Sequence, residues 1–301
     1  MTGGCPSCGE PVGSADEFCE ACGTELRAPA VSAPGKDHGE LDVGLAAGVT
    51  DRGLRHSRNE DAMAMAATRD ADGPAAIAVV CDGVSSAPRA DEASLAAAGA
   101  AVRELLSGVR AGDDPADASK AAARAGGNAL SSLVSQAGAP AATYASAVVG
   151  TSAVTVCWLG DSRVYWLSDG ASKCLTRDDS LAEEIVEAGL ASPEEAMASP
   201  HAHVITRWLG ADLPEPEAHV TRFEPAGPGV VLVCSDGLWN YRPDADDLAA
   251  MALPGALTNP LATAAALVKF AVDAGGMDNI TVVLVPFPPA STETLPRGDR
   301  R

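Results

Sequence analysis

The hydrophobic pattern changes period several times along the chain, and each change predicts an element. Three short, continuous apolar runs, Ala75 to Cys81, Val230 to Cys234 and Ile280 to Val285, predict strands buried on both faces. Thr143 to Val149, Ala153 to Leu159 and Arg163 to Leu167 predict a second series. Ser168-Asp169-Gly170 predicts a hairpin turn into Lys173 to Thr176. Ala-rich stretches at 90–107 and 115–137 predict two long helices, because Ala costs little to place in a helix. Leu181 to Ala188 predicts a shorter helix. Ser192-Pro193-Glu194-Glu195 opens another, with Ser192 as N-cap, Pro193 in the first turn and Glu195 closing a capping box. Asn259-Pro260 opens a helix over 260–274 in the same way. Strands arrive in antiparallel runs and helices in pairs. That pattern fits an α+β layered sandwich better than a doubly wound parallel sheet. No internal repeat is visible.

Composition sharpens this picture. The chain of 301 residues is 47% apolar but only 4% aromatic, so its core must be built mainly from Ala, Val and Leu. The patterned region runs from 41 to 287. Residues 28–40, rich in Pro, Ala and Gly, predict a flexible linker, and 288–301 a disordered tail. The formal net charge of −20 repels phosphate backbones and anionic bilayers, which argues against a nucleic-acid or membrane partner. No apolar stretch approaches the ~20 residues of a membrane span. The first residues lack the charged-then-apolar order of a secretory signal, so the expected location is cytoplasmic.

Eight cysteines in such a setting point to metal or free thiols before disulfides. Four of them form two C-x-x-C pairs, Cys5/Cys8 and Cys19/Cys22, each followed by Gly. The spacing resembles a zinc ribbon, in which one structural Zn²⁺ folds a segment too small to fold by apolar burial, here residues 1–27. Redox pairs or disulfides are the alternatives. Cys81, Cys157, Cys174 and Cys234 lie in or beside apolar runs and are expected to be small core residues.

The chemistry concentrates in acidic phrases. Asp82 ends one predicted strand, Asp236 follows another, and Asp278 precedes a third. Any one Asp-Gly pair is an ordinary turn signal. Carboxylates gathered at several strand ends would repel, by about 4 kcal/mol for two charges 4 Å apart at an effective dielectric near 20. Such a cluster calls for cations, and oxygen donors favour Mg²⁺ or Mn²⁺ over Zn²⁺.

Five phrases occur in order: Gly53-Leu-Arg-His-Ser-Arg-Asn-Glu-Asp61, Val80-Cys-Asp-Gly83, Gly160-Asp-Ser-Arg163, Cys234-Ser-Asp-Gly237 and Asp278-Asn279. Together they closely resemble the metal-dependent type-2C (PPM) protein serine/threonine phosphatases. Leu175-Thr-Arg-Asp-Asp-Ser180 and Ile205-Thr-Arg-Trp-Leu-Gly210 also look like that family's middle region. The resemblance implies a four-layer αββα sandwich, two antiparallel sheets face to face with helices on both outer faces. It implies a two-metal site at one end. By the match, Asp82 would bridge both ions, with the Gly83 carbonyl and Glu60 completing one side. Asp236 and Asp278 would hold the other ion, and Asp61 would orient bound water. Asp161 matches a residue that holds a third, weaker ion in bacterial members, although it could equally cap the Gly160 turn. The implied reaction is hydrolysis of phosphoserine and phosphothreonine by direct attack of a bridging metal-bound hydroxide. Its substrates would be phosphoproteins, and its opponents serine/threonine kinases.

Two departures stand out. Many members place Arg four residues before the Glu of the first phrase, where it holds the substrate phosphate. Here that position is His56, with Arg55 beside it. A histidine there could bind phosphate or protonate the leaving alkoxide. Many members also continue Asp-Gly with His or Met and then Gly-Gly, where this chain has Val84-Ser85-Ser86. His201, His203 and His219 show no ligand spacing and are expected to be structural. The competing readings are a catalytically weak or inactive binding protein of the same fold, with the ribbon as its docking part, and a phosphatase for small phosphoesters.

Overall fold

The computed structural model describes residues 3–4, 8, 10–12, 20–22, 28–33, 35–211 and 217–289. Within them the elements follow as β1 Ala30–Val31, β2 His38–Asp42, β3 Ala47–Asp51, β4 Asp61–Arg69, β5 Pro74–Asp82, α1 Ala90–Ala111, α2 Pro115–Leu130, β6 Tyr144–Val149, β7 Val154–Leu159, β8 Arg163–Leu167 and β9 Lys173–Cys174. After these come α3 Leu181–Glu187, α4 Pro193–Met197, β10 His219–Phe223, β11 Gly229–Cys234, α5 Asp236–Trp239, α6 Ala245–Ala256, α7 Pro260–Asp273 and β12 Ile280–Phe287. Two six-stranded sheets result, in the orders β10-β7-β6-β5-β4-β1 and β9-β8-β11-β12-β3-β2. Every strand pairing in them is antiparallel.

The continuous apolar runs are explained by what covers each strand face. Along β5, Ile77, Val79 and Cys81 pack under α1 and α2, while Ala76, Ala78 and Val80 face the layer between the sheets. Along β12, Ile280, Val282 and Leu284 pack against α6 and α7, while Val283, Val285 and Phe287 enter the central layer. A strand covered twice has no polar side to show. Each fully buried Val, Leu or Ile contributes about 1.5–3 kcal/mol, so this double use of each strand is the main source of cohesion. Small residues let the helices sit close. A Cβ added to Gly108 of α1 would meet the Ala118 Cβ of α2 at 2.9 Å.

The expected four layers are therefore present. Capping follows the local rules: Ser192 and Glu195 form the capping box of α4, and Asn259 caps α7. The second long helix ends at Leu130 rather than 137. There the serines begin to satisfy the backbone themselves, and Ser132 Oγ donates to the Ala129 carbonyl. Residues 28–40 are corrected from linker to framework. Ala30–Val31 pairs with β4, and His38–Asp42 pairs with β3, each on the edge of a different sheet. Edge strands need little apolar patterning, since one side stays in water, and β2 alternates exposed and half-buried residues. Cys81, Cys157 and Cys234 are buried, whereas Cys174 sits on edge strand β9 and is exposed.

The zinc-ribbon expectation falls largely outside the described residues, Cys5 and Cys19 among them. Gly3–Gly4 pairs antiparallel with Pro11–Val12, and Cys8 and Cys22 are exposed. The expected tail lies outside them from residue 290. Among the described residues no helix is long and apolar enough to cross a membrane.

Candidate active site

Strand register brings the acidic phrases to one end of the sandwich. Asp61 opens β4 and Asp82 closes β5, and the two are direct partners across that pairing. β11 ends at Cys234, so Ser235 and Asp236 leave the second sheet there, and β12 starts just after Asp278 and Asn279. Gly160 to Ser162 links β7 to β8 at the same end. Asp82, Asp161, Asp236 and Asp278 line a common cavity of about 650 Å³.

Burial and mutual repulsion make these carboxyls reluctant to ionise. Desolvation, then the charge of Asp61, raises Asp82 well above the ordinary carboxylate range. Desolvation, then Asp161, does the same to Asp236. Burial pushes Asp61 up to about 7 against two stabilising hydroxyls, and burial followed by Asp178 pushes Asp161 up to about 7. Among the described residues no Lys or Arg lines the cavity.

Two buried carboxylate oxygens, Asp61 Oδ1 and Asp236 Oδ1, accept no hydrogen bond among the described residues. Orphaned oxygens beside raised carboxyls are what a hard cation would satisfy. Among the described residues no group of three or more His, Cys, Asp or Glu side chains is close enough together to hold a metal ion by itself. Such a group is not required, because Mg²⁺ keeps several waters and takes only one or two carboxylates. The donor set therefore fits hydrated Mg²⁺ or Mn²⁺ and not a tetrahedral Zn²⁺ cage.

Polar residues of low individual signal fix the acids. Asp61 Oδ2 accepts from Ser235 Oγ and Thr281 Oγ1, both at 2.7 Å, which ties β4 to the end of β11 and the start of β12 in the opposite sheet. The Asp82 N–H donates to Thr143 Oγ1, which in turn bonds Ser162 Oγ at 2.7 Å. Trp239 Nε1 donates to the Asp161 carbonyl, and the Arg163 guanidinium lies 3.7 Å over the Trp239 ring. Arg163 is itself held by both oxygens of Asp178, at 2.9 and 2.7 Å. Asn279 is the main fastener. Its Oδ1 accepts from the Glu60 N–H at 2.7 Å, and its Nδ2 donates to the carbonyls of Arg52 and Arg58. One buried amide thus holds the whole 52–60 loop against β12.

The residues singled out in the sequence fall as follows. Glu60 Oε2 accepts from Ser85 Oγ at 2.5 Å, and the Gly83 N–H donates to the Glu60 carbonyl, so the departing Val84-Ser85-Ser86 segment is tied back to the site. Asp278 Oδ1 accepts from the Asn279 N–H. His56 stands between two acids, its Nε2 3.1 Å from Asp278 Oδ1 and its Nδ1 4.0 Å from Glu60 Oε2. Arg55 is exposed in the adjoining turn, paired with none of these carboxylates among the described residues. His219 is structural, as expected: it stacks on Trp158 and bonds Asp179 at 2.8 Å. His203, also expected to be structural, is exposed and lines the cavity together with Trp208. Asn279, Ser235, Thr281 and Thr143 were missed as site-builders. Ser235 and Asn279 lie within the quoted phrases, which could have flagged them; Thr281 and Thr143 carried no such signal.

The chain was compared with known proteins. The model of the family described as protein phosphatase 2C matches residues 52–270. The serine/threonine phosphatase stp of Listeria innocua is 34% identical over 144 residues, 48% of this chain and 55% of that protein. The chain thus spans about half the length of this relative. A crystal structure of the Mycobacterium tuberculosis serine/threonine phosphatase PstP/Ppp superposes with a TM-score of 0.63 at 29% identity, covering 80% of this chain and 97% of that one. The catalytic domain of PstP in complex with two manganese ions gives a TM-score of 0.61 at 27% identity, covering 80% and 97%. The shared sandwich, the ordered acidic phrases and a family match over most of its length lead to one conclusion: this chain belongs to the protein phosphatase 2C family.

Proposed function

We propose that the chain is a Mg²⁺- or Mn²⁺-dependent phosphatase that removes phosphate from serine and threonine side chains of proteins. The observation that carries this is the set of buried, mutually repelling carboxylates at one sheet end with two oxygens unsatisfied. Asp82, Asp236 and Asp278, with Glu60, Asp61 and the Gly83 carbonyl, would hold two ions, and Asp161 a third. The relatives named as serine/threonine phosphatases and the manganese-bound neighbour support the reading. Bound divalent ions would lower the pKa of water and offset charge on the phosphoryl group. The protein's own part is positioning. Asp278 orients the His56 ring through Nε2, and Nδ1, 4.0 Å from Glu60, is the nitrogen that grips a phosphoryl oxygen and gives a proton to the leaving alkoxide. Arg55 beside it adds positive charge for the incoming phosphate. Phosphate release from a phosphothreonine peptide with Mn²⁺, and none after chelation, is the expected result. Activity that survives exhaustive chelation would defeat it.

His56→Ala tests the proton-transfer role. General acid catalysis is worth about 10²–10⁴-fold. The variant should therefore lose about 10²-fold or more on a phosphothreonine peptide. On p-nitrophenyl phosphate, whose leaving group departs without a proton, the loss should stay under about tenfold. Equal losses on both substrates would rule that role out.

The N-terminal cysteines belong to the same proposal. Cys5, Cys8, Cys19 and Cys22 form a structural zinc ribbon that docks the enzyme on partner proteins, serine/threonine kinases and their substrates among them. The paired C-x-x-C spacing supports it. Elemental analysis should find one zinc per chain, and Cys8→Ser should lose it while keeping full activity on a free phosphopeptide. A zinc-free wild-type protein would overturn the ribbon.

A further inference from the structure

The cavity that holds the carboxylates does not stop at them. It continues into a trough whose walls, among the described residues, carry no Lys or Arg and set apolar side chains beside Ser85, Ser86 and His203. Val84 and Pro88, from the segment after Asp82, form one wall. Val204, Ile205 and Trp208 form the other. Val204 ends a flap, residues 181–204, and Ile205 and Trp208 follow directly; the flap is closed at its base by the Ser180–Ile205 bridge and by the Leu181 N–H bonding the Val204 carbonyl. The flap has its own small apolar cluster of Ala182, Ala196 and Ala202, so its wall residues are not consumed by core packing. Val204 is 50% exposed, and Ile205 and Trp208 are half-buried.

A phosphoryl group placed at the acidic end would lay its neighbouring residues in this trough, because the two are one continuous space. We propose that the trough selects phosphopeptides with an apolar residue next to the phosphorylated Ser or Thr and discriminates against an acidic one. This rests on the phosphatase reading above and adds a substrate preference to it. Three features point the same way. The walls offer apolar surface that a Leu or Val side chain would cover. Among the described residues no Lys or Arg lines the cavity to receive an Asp or Glu. The net charge of −20 adds long-range repulsion against acidic peptides.

The test uses the full chain with Mn²⁺ and four phosphothreonine peptides that differ only in the flanking residues: Leu, Gly, Asp or Lys. p-Nitrophenyl phosphate serves as a substrate without flanks. Filling an apolar pocket with a side chain is worth roughly 10–200-fold in discrimination. We expect kcat/KM for the Leu peptide to exceed that for Gly by about tenfold, mostly in KM, with Asp poorest. Trp208→Ala should shrink the Leu-to-Gly ratio toward one. Val204→Lys, at a half-exposed position that tolerates the change, should raise the Asp peptide above the Gly peptide. Hydrolysis of p-nitrophenyl phosphate with all four peptides within twofold of one another, or with Asp best in the wild type, would overturn the preference and leave the phosphatase reading standing. No release from any substrate would overturn both.

Discussion

Asp236→Asn is expected to lower kcat on a phosphothreonine peptide by about 10²–10³-fold at saturating Mn²⁺, the loss typical of removing one preorganised electrostatic group. The substitution is nearly isosteric. Asp236 Oδ2 accepts from Asn240 Nδ2 at 3.1 Å, and an amide oxygen can take the same bond. What disappears is a charge that sits among Asp161, Asp278 and Asp61. In the chelated protein that charge is a burden. Its carboxyl is raised well above its unfolded value, so at neutral pH ionisation disfavours the folded state. The burden fades as pH falls into the ordinary carboxylate range and the group protonates in both states. Asp236→Asn should therefore melt higher than wild type in EDTA at pH 8, with the gain shrinking at pH 5. Lost activity together with raised metal-free stability marks a functional rather than a structural residue. Wild-type turnover in this variant would remove Asp236 from the site.

The second large effect is on folding. Gly237→Ala should destabilise the protein by at least about 3 kcal/mol, the upper end of what overpacking costs. A Cβ at this position would collide with the backbone carbonyl of Asn279 and lie 3.0 Å from Ile280 Cγ1. The obstacle is the entry of β12 and cannot rotate away. Relief would have to separate Asp236 from Asp278, so activity should fall along with stability. For a domain of this size the cost corresponds to a Tm drop of about 6–12 °C. Gly227→Ala is the control, since nothing lies within 4 Å of its added Cβ, and it should change stability by less than about 0.5 kcal/mol. Matching melting curves for the two variants would refute the close-packing account.

The Asp-Gly pairs were thus readable for two separate reasons. The Asp carries the chemistry, and the Gly lets two backbones meet. Gly83 repeats the pattern, its added Cβ running into the Ala90 carbonyl and lying 2.8 Å from that of Glu60. The acids themselves were legible because each follows or precedes an apolar run, which marks a strand end. The layers were legible because strands that are apolar throughout must be covered twice. The fastening role of Asn279 was not, because nothing in a sequence tells that one amide will reach three positions of a single loop more than two hundred residues away. Strands β2 and β3 were not, because His38–Asp42 and Ala47–Asp51 are short and of mixed composition, and only their partners make them strands. His203 was expected to be structural because it shows no ligand spacing, and only the fold brings it to the cavity beside Trp208.

The two short strands before Asp42 have a practical bearing. Ala30–Val31 closes the margin of one sheet and His38–Asp42 that of the other, so a single strap of chain stitches the sandwich shut along one flank. A fragment trimmed back to residue 43 would bare the unpaired backbone of Met63–Met65 and of Ala47–Asp51 together. Two adjacent open margins invite strand addition by another molecule, so any attempt to isolate the sandwich from the N-terminal cysteines should cut ahead of Ala28.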